Sequence, residues 1–79
     1  MKIITHENLW WWGKSYTMIT DDGKSMIELA IEDDDERNYH GTIQSLLVHE
    51  SVRQQGRGDA LLMFAEEKAK ELGLKQVVL

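Results

Sequence analysis

The sequence predicts an α/β fold of the α+β kind: a mainly antiparallel sheet of three or four strands, then one long helix and a further strand. Three observations carry that expectation. Residues 25–32 alternate apolar and polar side chains with the period of a half-buried strand. Residues 59–72 repeat apolar side chains at i, i+3, i+4 and i+7, the spacing of an amphipathic helix. Residues 42–49 are β-rich and apolar on both faces through Ile43, Leu46, Leu47 and Val48, which fits a central strand.

Taken in order, residues 1–4 form an apolar run too short for a signal peptide, and it ends at Thr5 and His6. Trp10, Trp11 and Trp12 are expected to cover a thin sheet with alternate rings, although a substrate groove or a subunit contact would also use them. Residues 14–20 have strand character, with Tyr16 and Met18 alternating with Thr17 and Ile19. Asp21-Asp22-Gly23 marks a tight turn, because glycine supplies the positive φ that such a turn needs. In the strand that follows, Ile27, Leu29 and Ile31 share one face, and Met26, Glu28, Ala30 and Glu32 the other. Residues 33–41 read as a solvated loop. Their acidic run, 33–36, lacks the glycine and spacing of a calcium loop, so no metal is expected. The helix carries Leu61, Leu62, Phe64, Ala65, Ala69 and Leu72 on its dry face, and Glu66 pairs favourably with Lys70. Gly73 stands where a left-handed cap belongs, followed by Leu74, and residues 75–79 begin another strand.

Length and charge narrow the function. Residues 1–79 make one small domain with a thin core. Without cysteine, neither a disulfide nor a thiolate-metal site can staple it. No apolar stretch approaches the roughly 20 residues of a membrane span, so no membrane partner and a cytoplasmic location are expected. A net charge of −5 argues against nucleic acid as a partner and is compatible with a cationic substrate such as an amine. His6, His40 and His49 are scattered and form no metal-ligand spacing.

The informative constellation is the junction of the third clear strand with the helix. There, Arg53-Gln54-Gln55-Gly56-Arg57-Gly58 leads into Asp59 and the apolar helix. Amide groups at a helix start lack intrahelical acceptors, and the helix dipole adds partial positive charge. A phosphate satisfies both. Gly56 and Gly58 let it approach the backbone and let successive amides curl around it, while Arg53 and Arg57 add charge. The phosphate loop of nucleotide hydrolases would require Lys-Ser or Lys-Thr after the last glycine, where Asp59-Ala60 stand. The dinucleotide fingerprint would require a third glycine. Simple tight packing of the two glycines is the bland alternative.

Residues 46–62 resemble the central motif of the GNAT N-acetyltransferases: an apolar strand, then R/Q-x-x-G-x-G/A, then a helix opening on a small residue and two leucines. Arg53, Gly56 and Gly58 occupy the three defining places, and the resemblance is clear over residues 42–74. It implies that Leu46, Leu47 and Val48 pair through their backbone with the pantetheine arm of acetyl-CoA. It implies equally that Gln54, Gln55, Gly56, Arg57, Gly58 and Asp59 hold the pyrophosphate. The implied activity is transfer of an acetyl group from acetyl-CoA to an amine acceptor. A non-catalytic acyl-CoA-binding module, or an inactive fragment of a longer enzyme, stays open beside it. His49 or Glu50 is a candidate base. The family's usual helices after the first strand have only residues 7–14 available, and its second half, with a thiolate-protonating tyrosine, is not visible. A truncated GNAT-like domain that self-associates as a homodimer is therefore expected.

Overall fold

The computed structural model describes residues 2–33, 39–74 and 77–78. Five strands form one sheet in the order β1-β2-β3-β4-β5: β1 Ile3–Trp10, β2 Gly13–Thr20, β3 Ser25–Asp33, β4 Tyr39–Val48 and β5 Val77–Val78. The first four pair antiparallel, and β5 joins β4 in parallel. Helix α1, Arg57–Glu71, makes the crossover between those last two strands. One short 3-10 turn, Glu50–Val52, precedes it.

The alternation along β2 and β3 explains the layering. Tyr16 and Met18 stand opposite Leu29 and Ile27 in the ladder. All four are buried against Leu61, Ala65 and Ala69 of α1. Alanine at two of the helix contact positions lets the helix backbone lie close to the sheet. The helix ends as its sequence requires. Gly73 has φ 74°, its N–H donates to the Lys70 carbonyl, and the Leu74 N–H donates to the Ala69 carbonyl, closing a Schellman motif.

Residues 7–14, the space left for the family's helices, instead complete β1, turn at Trp11 and Trp12, and begin β2. The two-residue loop lacks the Asn-Gly or Asp-Gly signal of such hairpins. Its geometry is met by Gly13 just after it, at φ 147°. Trp10 and Trp12 stack with ring centroids 6.1 Å apart, and the Trp10 indole N–H donates to Ser15 Oγ at 2.9 Å. Ser15 and its ladder partner Ala30 are both buried although they point away from α1. Trp10 thus reaches the sheet through Ser15, while Trp11 is 96% exposed. The expected solvated loop at 33–41 is shorter than its composition suggested. Asp33 and residues 39–41 belong to the β3–β4 ladder, and residues 34–36 of the acidic run lie outside the described residues. So do Lys75, Gln76 and Leu79 of the last expected strand, whose Val77 and Val78 form β5.

Candidate functional site

β4 is central for only part of its length. It pairs with β3 from Tyr39 to Val48, whereas its contact with β5 is limited to Gly41 and Thr42 among the described residues. A bulge at Gln44, where Leu29 faces Ile43 but Glu28 faces Ser45, separates the two parts. Beyond it, residues 45–48 have no strand neighbour opposite β3 among the described residues. Leu46 is 38% exposed and Leu47 63%, so this part of the apolar run borders an open cleft although β4 lies inside the sheet. The reason is topological: a parallel neighbour that pairs at two positions cannot cover the rest of the strand.

The cleft has a volume of about 740 Å³. Leu46, Leu47, Val48, His49, Arg53, Gln54, Gly56, Arg57, Gly58 and Asp59 all line it, while Gln55 and Glu50 do not. One wall was missed by sequence reasoning: Gly23, Lys24, Ser25 and Met26 of the β2–β3 turn and the start of β3. Nothing in spacing joins residues 23–26 to 53–59. Only the register, with Ser25 opposite Val48, brings them together.

At the turn, Gly56 caps α1 in a left-handed conformation, φ 74° and ψ 13°, with no side-chain capping bond. The first helical bond runs from the Ala60 N–H to the Gly56 carbonyl, so the N–H groups of Arg57, Gly58 and Asp59 precede the ladder and have no intrahelical acceptor. Gln54 also has positive φ, 64°, a costly conformation for a residue with a side chain. Gly58 differs from Gly56. It lies inside the first turn of α1, which begins two residues earlier than expected, and its φ is not in the left-handed region. A Cβ built on it meets nothing within 4 Å. Tight packing therefore does not account for this glycine.

Three cations, Lys24, Arg53 and Arg57, and one carboxylate, Asp59, line the cleft of a chain whose net charge is −5. They are not equivalent. Arg53 is exposed, and its Nε donates to the Val48 carbonyl at 3.2 Å. Arg57 is 15% exposed in its side chain, and its Nη1 donates to Asp22 Oδ2 at 2.7 Å. Hydrogen bonds from the Thr20 hydroxyl, the Lys24 N–H and Arg57 hold the Asp22 carboxyl well below the usual carboxylate range, so the pair is ionised throughout the neutral range. His49 has its Nδ1 engaged by the Ser51 N–H at 3.1 Å and lies 2.8 Å from the Ser51 hydroxyl, a cap for the 3-10 turn. Tyr16 is buried under α1, its hydroxyl donating to Glu7 at 2.7 Å. Burial, aided by that bond, raises its pKa. It takes no part in the cleft. The described residues contain no cluster of three or more potential metal ligands. No described helix is long and apolar enough to cross a membrane.

These features agree with what the chain is similar to. Residues 4–79 match the model of the acetyltransferase (GNAT) family, and the chain belongs to that family. Among solved structures, it superposes on a protein described as an acetyl transferase from Pyrococcus furiosus with a TM-score of 0.68 and 30% identity, covering 84% of this chain and 46% of that one. It superposes on a ribosomal-protein-alanine N-acetyltransferase from Brucella melitensis with a TM-score of 0.72 and 20% identity, covering 82% and 50%. For glucosamine-6-phosphate N-acetyltransferase from Arabidopsis thaliana the values are 0.68 and 17%, covering 84% and 48%. At those lower identities the likeness concerns the fold. The chain spans about half the length of each of these structures. No protein with a curated description matches it in sequence.

Proposed function

We propose that this chain binds acetyl-CoA in the cleft and supplies the donor half of an N-acetyltransferase. The observation that carries the reading is Gly58. Glycine inside a helix is less stable than alanine by up to about 1 kcal/mol, yet neither φ nor a neighbour demands it here. A group that must approach the first-turn amides does demand it. Two further features fit the same ligand. Ser25 borders the cleft with a buried Oγ that has no partner among the described residues. The edge of residues 45–48, unpaired on that side among the described residues, offers main-chain groups to an amide-bearing arm, as an added strand would use them.

In this reading the amides of residues 57–59 and the cations at the cleft hold the pyrophosphate, and the β4 edge holds the pantetheine arm. The amine acceptor attacks the thioester carbonyl. An N–C bond forms, the C–S bond breaks, and the amine proton passes to the departing thiolate. The chain contributes position and main-chain hydrogen bonds. Of the two candidate bases, His49 lines the cleft with its Nδ1 already engaged, and Glu50 does not line it. The exposed Leu9 and Trp11 at the β1–β2 tip favour association of two chains.

The test is calorimetric titration with acetyl-CoA, beside far-UV circular dichroism, of the wild type, Gly56→Val and Gly58→Val. Both variants are expected to lose acetyl-CoA binding with helix content intact, because a branched side chain fills the phosphate's place. Unchanged affinity in either would place the phosphates elsewhere. Release of thiol from acetyl-CoA in the presence of a panel of amines then measures transfer itself.

A further inference from the structure

The contact between Asp22 and Arg57 joins residues that are 35 apart in the chain. The carboxylate is fixed independently of the arginine: its Oδ1 accepts from the Thr20 hydroxyl at 2.7 Å and from the Lys24 N–H at 3.0 Å. Thr20 is buried, and its Oγ1 also accepts from the Ser25 N–H at 3.2 Å. The turn is tied again to the end of β4, where the His49 N–H donates to the Lys24 carbonyl at 2.7 Å. Asp22 is therefore a rigid anchor beside the cleft. Arg57, at the first position of α1, reaches it with one nitrogen, Nη1. A guanidinium carries five N–H donors in a planar fork. A single contact anchors one end of the fork and leaves most of its donors unspent.

We propose that Asp22 is a positioning residue for phosphate binding: it holds the Arg57 guanidinium at the cleft so that the remaining donors are ready for an anion at residues 54–59. The inference rests on the reading of the cleft as a pyrophosphate site. Two effects of the carboxylate oppose each other. It repels an incoming anion, and it orders the arginine before the anion arrives. The repulsion is small, because at 2.7 Å the two charges present a dipole to the ligand. Ordering prevails, because a long cationic side chain left free would have to be immobilised at the expense of affinity. The Arg57 charge alone would act at residues 54–59 in any rotamer; its orientation is what Asp22 contributes.

The experiment compares the wild type, Asp22→Asn, Arg57→Gln and the double variant, each titrated with acetyl-CoA and with S-acetylpantetheine, which lacks the pyrophosphate. Asparagine keeps an oxygen for Thr20 and Lys24, so the turn survives, and thermal melts verify this. Asp22→Asn is expected to weaken acetyl-CoA binding about five-fold, the scale of one side chain newly immobilised. It should leave S-acetylpantetheine unchanged and have no further effect in the Arg57→Gln background. Equal or tighter binding of acetyl-CoA by Asp22→Asn, or equal weakening of both ligands, overturns the inference. If the wild type itself binds acetyl-CoA no better than S-acetylpantetheine, the cleft is not a pyrophosphate site, and the inference falls with that reading.

Discussion

The two parts of β4 differ although they are a few residues apart on one strand. At Gly41 and Thr42 the strand has a neighbour on each side, and Leu74 lies close against Gly41. A Cβ added to Gly41 would lie 2.7 Å from Leu29 Cδ1 and 3.2 Å from Leu74 Cδ1. Beyond the Gln44 bulge, the strand has lost one neighbour, its leucines are exposed, and the glycine across the cleft, Gly58, has empty space around it. One part of the strand is built for packing and the other for access. A glycine can therefore mean opposite things within one short chain: at Gly41 it makes room for the protein, and at Gly58 it makes room for something else.

The comparison breaks most readily at Gly41. Gly41→Ala forces Leu29 or Leu74 to shift and should destabilise the fold by about 1–3 kcal/mol, the usual cost of overpacking. Urea denaturation measures it. Acetyl-CoA affinity, taken well below the unfolding midpoint, should stay within about twofold, since neither leucine lines the cleft. A large loss of affinity without loss of stability would show that the packed part of β4 also serves the ligand.

Gly58→Ala sharpens the same contrast with two effects of opposite sign. The fold should gain a few tenths to about 1 kcal/mol, because alanine is the better helix residue and its methyl clashes with nothing. Acetyl-CoA binding should weaken at the same time. Denaturation and calorimetry on one preparation read both. A variant that is more stable and binds as well as the wild type would remove the reason for assigning Gly58 to a ligand.

Most of this contrast was hidden in the sequence for physical reasons. The strands at 14–20 and 25–32 and the helix at 59–72 were legible because one face of each is buried, and burial imposes a period. The turn residues Gly56 and Gly58 were legible because glycine spacing records a backbone requirement. β1 was not, since Glu7 and Asn8 lack strand character and are held by their pairing with Tyr16 and Ser15. The central place of β4 was legible from its apolar run, but the exposure of Leu46 and Leu47 was not, because such a run looks the same whether it is covered by protein or open to a ligand. Asp22 was read only as a turn residue, since its partner is 35 positions away and no local pattern encodes a tertiary ion pair.

The smallest expected effect concerns Asp59, which stands exposed in the first turn of α1 and lines the cleft. Its charge favours the bare helix N-terminus and disfavours an anion placed there. Asp59→Asn should thus tighten acetyl-CoA binding by a few tenths to about 1 kcal/mol at low salt and cost the unliganded fold a similar amount. Unlike Asp22, which is neutralised by Arg57 at 2.7 Å, Asp59 has no ion pair among the described residues, so its removal should be felt by the ligand as a charge rather than as a loss of order. Because the cleft is open to solvent, the gain should shrink as ionic strength rises toward 1 M, where the screening length falls to about 3 Å. Titrations across a salt series measure this directly. Weaker binding by Asp59→Asn at every salt concentration would mean that the carboxylate orders a donor, as proposed for Asp22, and the open side of the cleft would then be organised like its closed side.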